Sequence, residues 1–178
     1  MKIKVDNDLE LRLISLASAQ TIFNSINHSR QHLREWLPFV SATKTISDTR
    51  NFIKSVLQSQ NQKPEKIFEI WQKTDFAGLI GFKEIDQNNH KAEMGYWLDQ
   101  RMTEQGIMLK ATKTLIDHAF QKMELNRIVI KVATGNLRSL AIPKKLGFSF
   151  EGLEREGEFL NSQYHNLEVF GLLKKEWK

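Results

Sequence analysis

The spacing of apolar residues switches period midway along this chain, and that switch limits the fold more than any other feature. Three short runs, Ile67-Phe68-Glu69-Ile70-Trp71, Phe76-Ala77-Gly78-Leu79-Ile80-Gly81-Phe82 and Ala92-Glu93-Met94-Gly95-Tyr96-Trp97-Leu98, have strand length and strand composition. Lys73-Thr74-Asp75 is the turn between the first two, and Asn88-Asn89-His90 precedes the third. Directly afterwards Ile107, Ala111, Leu115 and Ala119 recur every four residues. That repeat predicts a buried stripe on a helix from about Glu104 to Lys122, with Gly106 in its first turn. A chain that changes period in this way has to stack helices on a sheet.

The flanks extend the pattern. Leu9-Glu10-Leu11-Arg12-Leu13 alternates with period two and reads as a strand. Ser15 or Ser18 caps a helix carrying Ala19, Ile22, Phe23 and Ile26 on one side, in a helical region that ends near Trp36-Leu37-Pro38-Phe39. Ser47 or Asp48 begins another helix, with Phe52, Ile53, Val56 and Leu57 inward. After the long helix come the β-branched strand Ile128-Val129-Ile130-Lys131-Val132, a short helix around Ser139 to Leu146, and strands near 150–160 and 164–173. The expected fold class is α/β (α+β), a central mixed, mostly antiparallel sheet with helices on both faces. With 178 residues and no repeat or linker, one domain over 1–178 is expected.

Composition removes several chemistries. There is no cysteine, which excludes disulfides, Cys-ligated zinc and a cysteine nucleophile. Lys and Arg total 26 against 21 acidic residues, a net charge of +5, scattered without a block of like charge. That excess is ordinary for a globular protein and favours an anionic ligand; no nucleic-acid-binding signature accompanies it, so no direct nucleic-acid binding is expected. The first eight residues lack an apolar signal core, and no apolar run has the length of a membrane span. A cytoplasmic protein with no membrane partner is the expectation.

Familiar phosphate motifs are missing. No Gly-x-Gly occurs, and Gly152 and Gly157 have P-loop spacing without the required Lys. His28 and His32 lie one helical turn apart, but the Glu of the zinc-protease motif is absent, and no metal is expected. The informative segment is 93–122. There a strand ending at Leu98-Asp99 passes through the polar loop Gln100 to Gln105 into a helix. Free N–H groups and the dipole at a helix start favour an anion, best a pyrophosphate. A plain strand–helix turn has the same pattern.

The stretch 92–98 with Gly106-Ile107-Met108 resembles the GCN5-related N-acetyltransferases (GNAT). Leu125-Asn126-Arg127-Ile128, Asn136-Leu137-Arg138-Ser139-Leu140-Ala141-Ile142-Pro143-Lys144-Lys145-Leu146-Gly147-Phe148, Glu151-Gly152 and the closing Gly171–Trp177 run are similar to the ribosomal-protein N-terminal acetyltransferase (RimJ/RimL-type) subgroup. The resemblance covers nearly the whole chain. It implies acetyl-CoA as cosubstrate, bound in a V-shaped gap where strands 92–99 and 127–134 splay apart. The pantetheine arm would pair with the first strand near Trp97 and Leu98. The pyrophosphate would sit on Arg101, Thr103, Glu104, Gln105, Gly106 and Ile107. Glu104 stands where the family usually has Gly, which raises the question of weakened CoA binding or a non-catalytic relative.

The implied reaction is attack of a primary amine on the thioester. Without Cys, direct transfer in a ternary complex is favoured. A backbone N–H near Trp97-Leu98 would hold the oxyanion. The Tyr that many members use to protonate the thiolate falls at Pro143 here, and the subgroup suggests Ser139 instead; Asn136 would bond the pantetheine amides. Glu158 is the first choice of base, ahead of Glu93, with His165 third; Asn166 stands where the subgroup often has Asp. A ribosomal-protein N-terminal α-amine leads the acceptor classes. A small amine such as a polyamine or aminoglycoside, and a non-catalytic acyl-CoA binder, stay open, as does a homodimer or higher homo-oligomer.

Overall fold

The computed structural model describes residues 1–58 and 65–178. Among these, one sheet contains β1 (Lys2–Lys4), β2 (Leu9–Leu13), β3 (Lys66–Gln72), β4 (Asp75–Asp86), β5 (Lys91–Leu98), β6 (Arg127–Ala133), β7 (Ser149–Leu160) and β8 (Gln163–Leu173). The order across it is β1-β2-β3-β4-β5-β6-β8-β7. Neighbours run antiparallel throughout, except that β5 and β6 are parallel. Helices α1 (Ala19–His28), α2 (Arg30–Leu33), α3 (Phe39–Ala42) and α4 (Ile46–Gln58) lie between β2 and β3. Helix α5 (Ile107–Lys122) makes the crossover that a parallel pair requires, and α6 (Leu137–Lys145) links β6 to β7.

Strand alternation divides the apolar residues between two cores. Ala92 and Met94 of β5 join Leu115 and Ile116 of α5 on one face, and Trp97 joins Ile22, Ile26 and Ile53 on the other. Gly78 lets β4 press on β5, because a Cβ there would overlap the Trp97 carbonyl oxygen.

Five details differ from the sequence expectation. Strand β1 is new, a three-residue element too short to show a period. The first helical region is broken. Helix α1 stops at His28, and the buried Ser29 turns its Oγ to the Gln100 N–H (2.9 Å), so His28 and His32 fall on separate helices. Helix α4 begins at Ile46 rather than at Ser47 or Asp48. The Asp48 carboxylate accepts from the Thr45 N–H (2.8 Å) and hydroxyl (2.9 Å), an arrangement of the capping-box kind. On that helix Ile53 and Val56 are buried, whereas Phe52 and Leu57 are 40 % and 41 % exposed. Finally, α5 starts at Ile107 instead of Glu104. Glu104 (φ 65°) and Gly106 (φ 72°) are both left-handed, which a right-handed helix excludes, and Gly106 is the residue before the first turn.

Candidate active site

The site begins where β5 and β6 part. They pair only at Lys91↔Arg127, Ala92↔Ile128 and Glu93↔Val129. Beyond Glu93, β5 keeps β4 on one side and β6 keeps β8 on its far side, while the edges facing each other stay unpaired. The gap opens into a cavity of about 550 Å³. An exposed edge in a central strand is a template for an extended ligand, which adds to it as a further strand. Gly95, in mid-strand, has no atom within 4 Å of where a Cβ would stand, so the cavity reaches the β5 backbone there.

At the open end of the gap β5 runs into the loop before α5. The fully buried Asp99 carboxylate organises it, accepting from Ser25 Oγ (2.7 Å), the Arg101 N–H (3.0 Å), Arg101 Nε (2.9 Å) and Arg101 Nη2 (2.7 Å). Burial alone would raise this carboxyl; the bonds from Arg101 and Ser25 outweigh it and hold the group well below the usual carboxylate range. Thr103 Oγ1 donates to Gln100 O (2.8 Å) and the Gln105 amide to Arg101 O (3.1 Å), so the loop bonds itself. Gly106 then turns the chain into α5, whose first N–H groups have no intrahelical partner. The exposed Glu104 carboxylate reaches across to Arg138 Nη2 of α6 at 2.9 Å.

The closed end of the V carries charge. Glu93 lies between Lys83 Nζ (2.8 Å) and Lys131 Nζ (4.0 Å), and Lys131 also pairs with Glu154 (2.7 Å). Glu158, half-buried on β7, lines the same cavity, as does Glu65. Burial raises the Glu158 carboxyl, with His165 and Lys83 pulling it partly back. Burial likewise raises Glu65, opposed by Lys83 and assisted by Glu84. A break in the β7–β8 register between Glu154 and Glu158 sets Glu158 opposite His165, and Asn166 Oδ1 accepts from the Glu156 N–H (2.8 Å) inside it. His165 itself is bonded to the Leu160 carbonyl (3.2 Å). The remaining wall is apolar: Trp36, Phe39, Phe52 and Trp97 face the cavity. Asn161, at the β7–β8 turn, fastens that wall by donating to the Arg34 carbonyl (3.2 Å).

Helix α6 closes the gap. Asn136 caps it, its Oδ1 accepting from the Ser139 N–H (3.2 Å). The Tyr96 hydroxyl crosses from β5 and donates to the Ser139 carbonyl (3.1 Å). Asn136, Ser139 and Tyr96 all line the cavity.

The family described as "Acetyltransferase (GNAT) domain" matches residues 8–149. The chain belongs to the GNAT acetyltransferases. It is 31 % identical over 168 residues to the ribosomal-protein-serine acetyltransferase of Escherichia coli (strain K12), covering 94 % of each chain. It is 28 % identical over 106 residues to the spermidine N(1)-acetyltransferase of the same strain, covering 60 % of this chain and 57 % of that one. Among solved structures, RimL, the ribosomal L7/L12 alpha-N-protein acetyltransferase in complex with coenzyme A, superposes with a TM-score of 0.94 at 26 % identity, covering 99 % of each chain.

Within this GNAT fold, Glu93, Trp97, Asn136, Ser139 and Glu158 come together on one cavity. Arg101, Thr103, Glu104, Gln105 and Gly106 lie on the loop beyond it, with the Arg101 guanidinium already on Asp99. Leu98 packs toward the α5 core, and Ile107 is buried in that core. Sequence reasoning gave no role to Glu65, Lys83, Tyr96, Lys131 or Arg138. Lys83, Glu93 and Lys131 each sit at polar positions within apolar runs, but only the register of three strands brings them together. Among the described residues, no helix is long and apolar enough to cross a membrane.

Proposed function

We propose that this single domain, residues 1–178, transfers the acetyl group of acetyl-CoA directly to a protein N-terminal α-amine of the ribosomal-protein type. The observation that carries the reading is the unpaired stretch of β5 beyond Glu93, opening on a cavity that a half-buried Glu158 also lines. The unpaired edge near Trp97 and Leu98 suits the amide-bearing pantetheine arm, and its N–H groups suit a developing oxyanion. The loop from Thr103 to Ile107 suits the pyrophosphate. Asn136 uses its Oδ1 to cap α6 and has its amide N–H groups for the arm.

Glu158 is the base. Its burial makes the carboxylate a better proton acceptor at neutral pH. Glu93 ranks below it, because Lys83 and Lys131 compensate its charge. Ser139 gives a proton to the departing thiolate and regains one through solvent, the balance being closed by the proton that Glu158 takes from the amine. The absence of cysteine leaves no acyl-cysteine route.

A polyamine calls for a cavity with excess negative charge. Here two lysines, Lys83 and Lys131, stand among the three carboxylates that line the cavity, which lowers the negative charge a polycation would need, and the wall is aromatic. The likeness to the serine acetyltransferase over nearly full length supports the same choice. The test offers acetyl-CoA with a panel of free-N-terminus peptides, the same peptides N-blocked but containing Lys, and spermidine, with products read by mass spectrometry. Acetylation confined to α-amines is expected. Preference for spermidine overturns the acceptor reading, and CoA binding without acetylation of any amine supports the non-catalytic binder.

A further inference from the structure

Pro143 leaves a defect in α6 at the position that matters most. It lies inside the helix and has no N–H, so it cannot donate to the carbonyl of Ser139 four residues earlier. Ser139 is half-buried, and a carbonyl in such a place needs a partner. The partner is Tyr96, whose hydroxyl donates to Ser139 O at 3.1 Å. The Ser139 hydroxyl lies 3.4 Å from the same oxygen, which is free to accept from it. With Asn136 Oδ1 on the Ser139 N–H, every polar atom of Ser139 has a partner, and the long hydroxyl contact leaves its proton free to turn from Tyr96 to a thiolate placed in the gap. Tyr96 makes these contacts from the splayed part of β5, past the last β5–β6 pair at Glu93, so the link crosses the gap.

We propose that Tyr96 is the positioning residue for Ser139. It replaces the N–H that Pro143 lacks, ties the first turn of α6 to β5, and so fixes the Ser139 hydroxyl relative to the strand on which the thioester lies. This rests on the reading of Ser139 as the proton donor to the thiolate. Burial pushes ionisation of the tyrosine up, with the Ser139 bond opposing, so the phenol stays a donor at working pH.

The experiment compares Tyr96→Phe, Ser139→Ala, the double variant, and Tyr96→Phe combined with Pro143→Ala, each followed by melting temperature, acetyl-CoA KM and kcat. Tyr96→Phe is expected to lower kcat about tenfold, the scale of a lost positioned hydrogen bond, with KM changed by no more than about twofold. The Tyr96/Ser139 double variant is expected to be no slower than Ser139→Ala, since both changes act on one group. Pro143→Ala restores the helical donor, so it is expected to recover the melting temperature lost by Tyr96→Phe while kcat stays low. Recovery of kcat together with melting temperature makes Tyr96 a mere helix partner and overturns the proposal. So does a multiplicative double variant, or a native kcat for Tyr96→Phe while Ser139→Ala is slow. A native kcat for Ser139→Ala overturns the Ser139 reading instead, and Tyr96 loses its role with it.

Discussion

At the open end of the β5–β6 gap the polar side chains are already engaged with one another. Arg101 holds Asp99, and Arg138 holds Glu104. What this end offers a ligand is backbone: the unpaired edge of β5 and the first N–H groups of α5. The closed end is the reverse. There, and on the cavity wall facing it, charged side chains from five strands or their flanks (Glu65, Lys83, Glu93, Lys131, Glu158) are brought together. One end is suited to a ligand common to the whole family, the other to an acceptor that differs between members. Substitutions at the two ends are therefore expected to separate cofactor binding from amine chemistry.

The largest separation is expected at Glu158. Glu158→Gln keeps the shape and removes the proposed base, and a base contributes about 100-fold at least. An α-amine has a pKa of about 7.7–8.0, so it needs deprotonation at pH 6.5 and little at pH 9. The variant is expected to lose about 100-fold in kcat at the lower pH and far less at the higher, with acetyl-CoA affinity intact. In the native protein the base works only when ionised. Activity therefore falls as pH drops through the raised carboxyl value of Glu158, and the native and Gln profiles converge below it. Equal losses at both pH values break the assignment.

Asp99 probes the opposite end through stability. Asp99→Asn weakens four bonds to a buried carboxylate and is expected to cost about 2 kcal/mol at pH 7, read by urea unfolding. The folded value is depressed, so the native carboxylate stabilises fully above its unfolded pKa of about 3.9 and loses that contribution as pH falls toward the folded value. The gap between native and Asn proteins is thus expected to narrow below pH 4. A gap that is constant with pH shows that the loop does not depend on this charge.

Gly95 lies between the two ends. It shares its face of β5 with Glu93 and Trp97, and open space stands over it. Gly95→Val puts a branched side chain into the cavity on the amine side of the strand. Crowding of this kind is worth about 1–3 kcal/mol, so acceptor KM is expected to rise about tenfold while acetyl-CoA affinity moves little. A larger effect on acetyl-CoA shows that the cofactor, not the amine, fills that space.

The same contrast explains what the sequence disclosed. The strand–loop–helix unit is local, and its elements follow from a few dozen consecutive residues. Its error was also local: the helix start at Glu104 ignored that two positive φ angles precede Ile107, which no periodicity reports. The break at Ser29 is different. It exists because Ser29 serves Gln100, 71 residues away. The Lys83–Glu93–Lys131 cluster depends on strand register, and Tyr96–Ser139 on the angle at which two strands part. The roles proposed for Glu158 and Ser139 come only from family resemblance. As residues in a string they are a charged position on an exposed strand and a serine near a helix start.

The smallest expected effect is at Glu104. Its backbone is left-handed, at a strain of about 1 kcal/mol that Gly does not incur, which accounts for the family's usual residue there. Its carboxylate is 75 % exposed and is paired with an Arg138 that is 65 % exposed, so the pair adds little to stability. Glu104→Gly relieves the backbone, removes a negative charge from the loop proposed for the pyrophosphate, and releases Arg138 toward that anion. Acetyl-CoA binding, followed by calorimetry, is expected to tighten a few-fold, with a steeper salt dependence as an unpaired arginine joins the site. Arg138→Ala is the control and is expected to weaken binding in the Glu104→Gly background more than in the native protein. Weaker binding by Glu104→Gly reverses the sign of the argument: the carboxylate then serves to hold Arg138 at the right place for the phosphates, and the open end, too, has a side chain in its working parts.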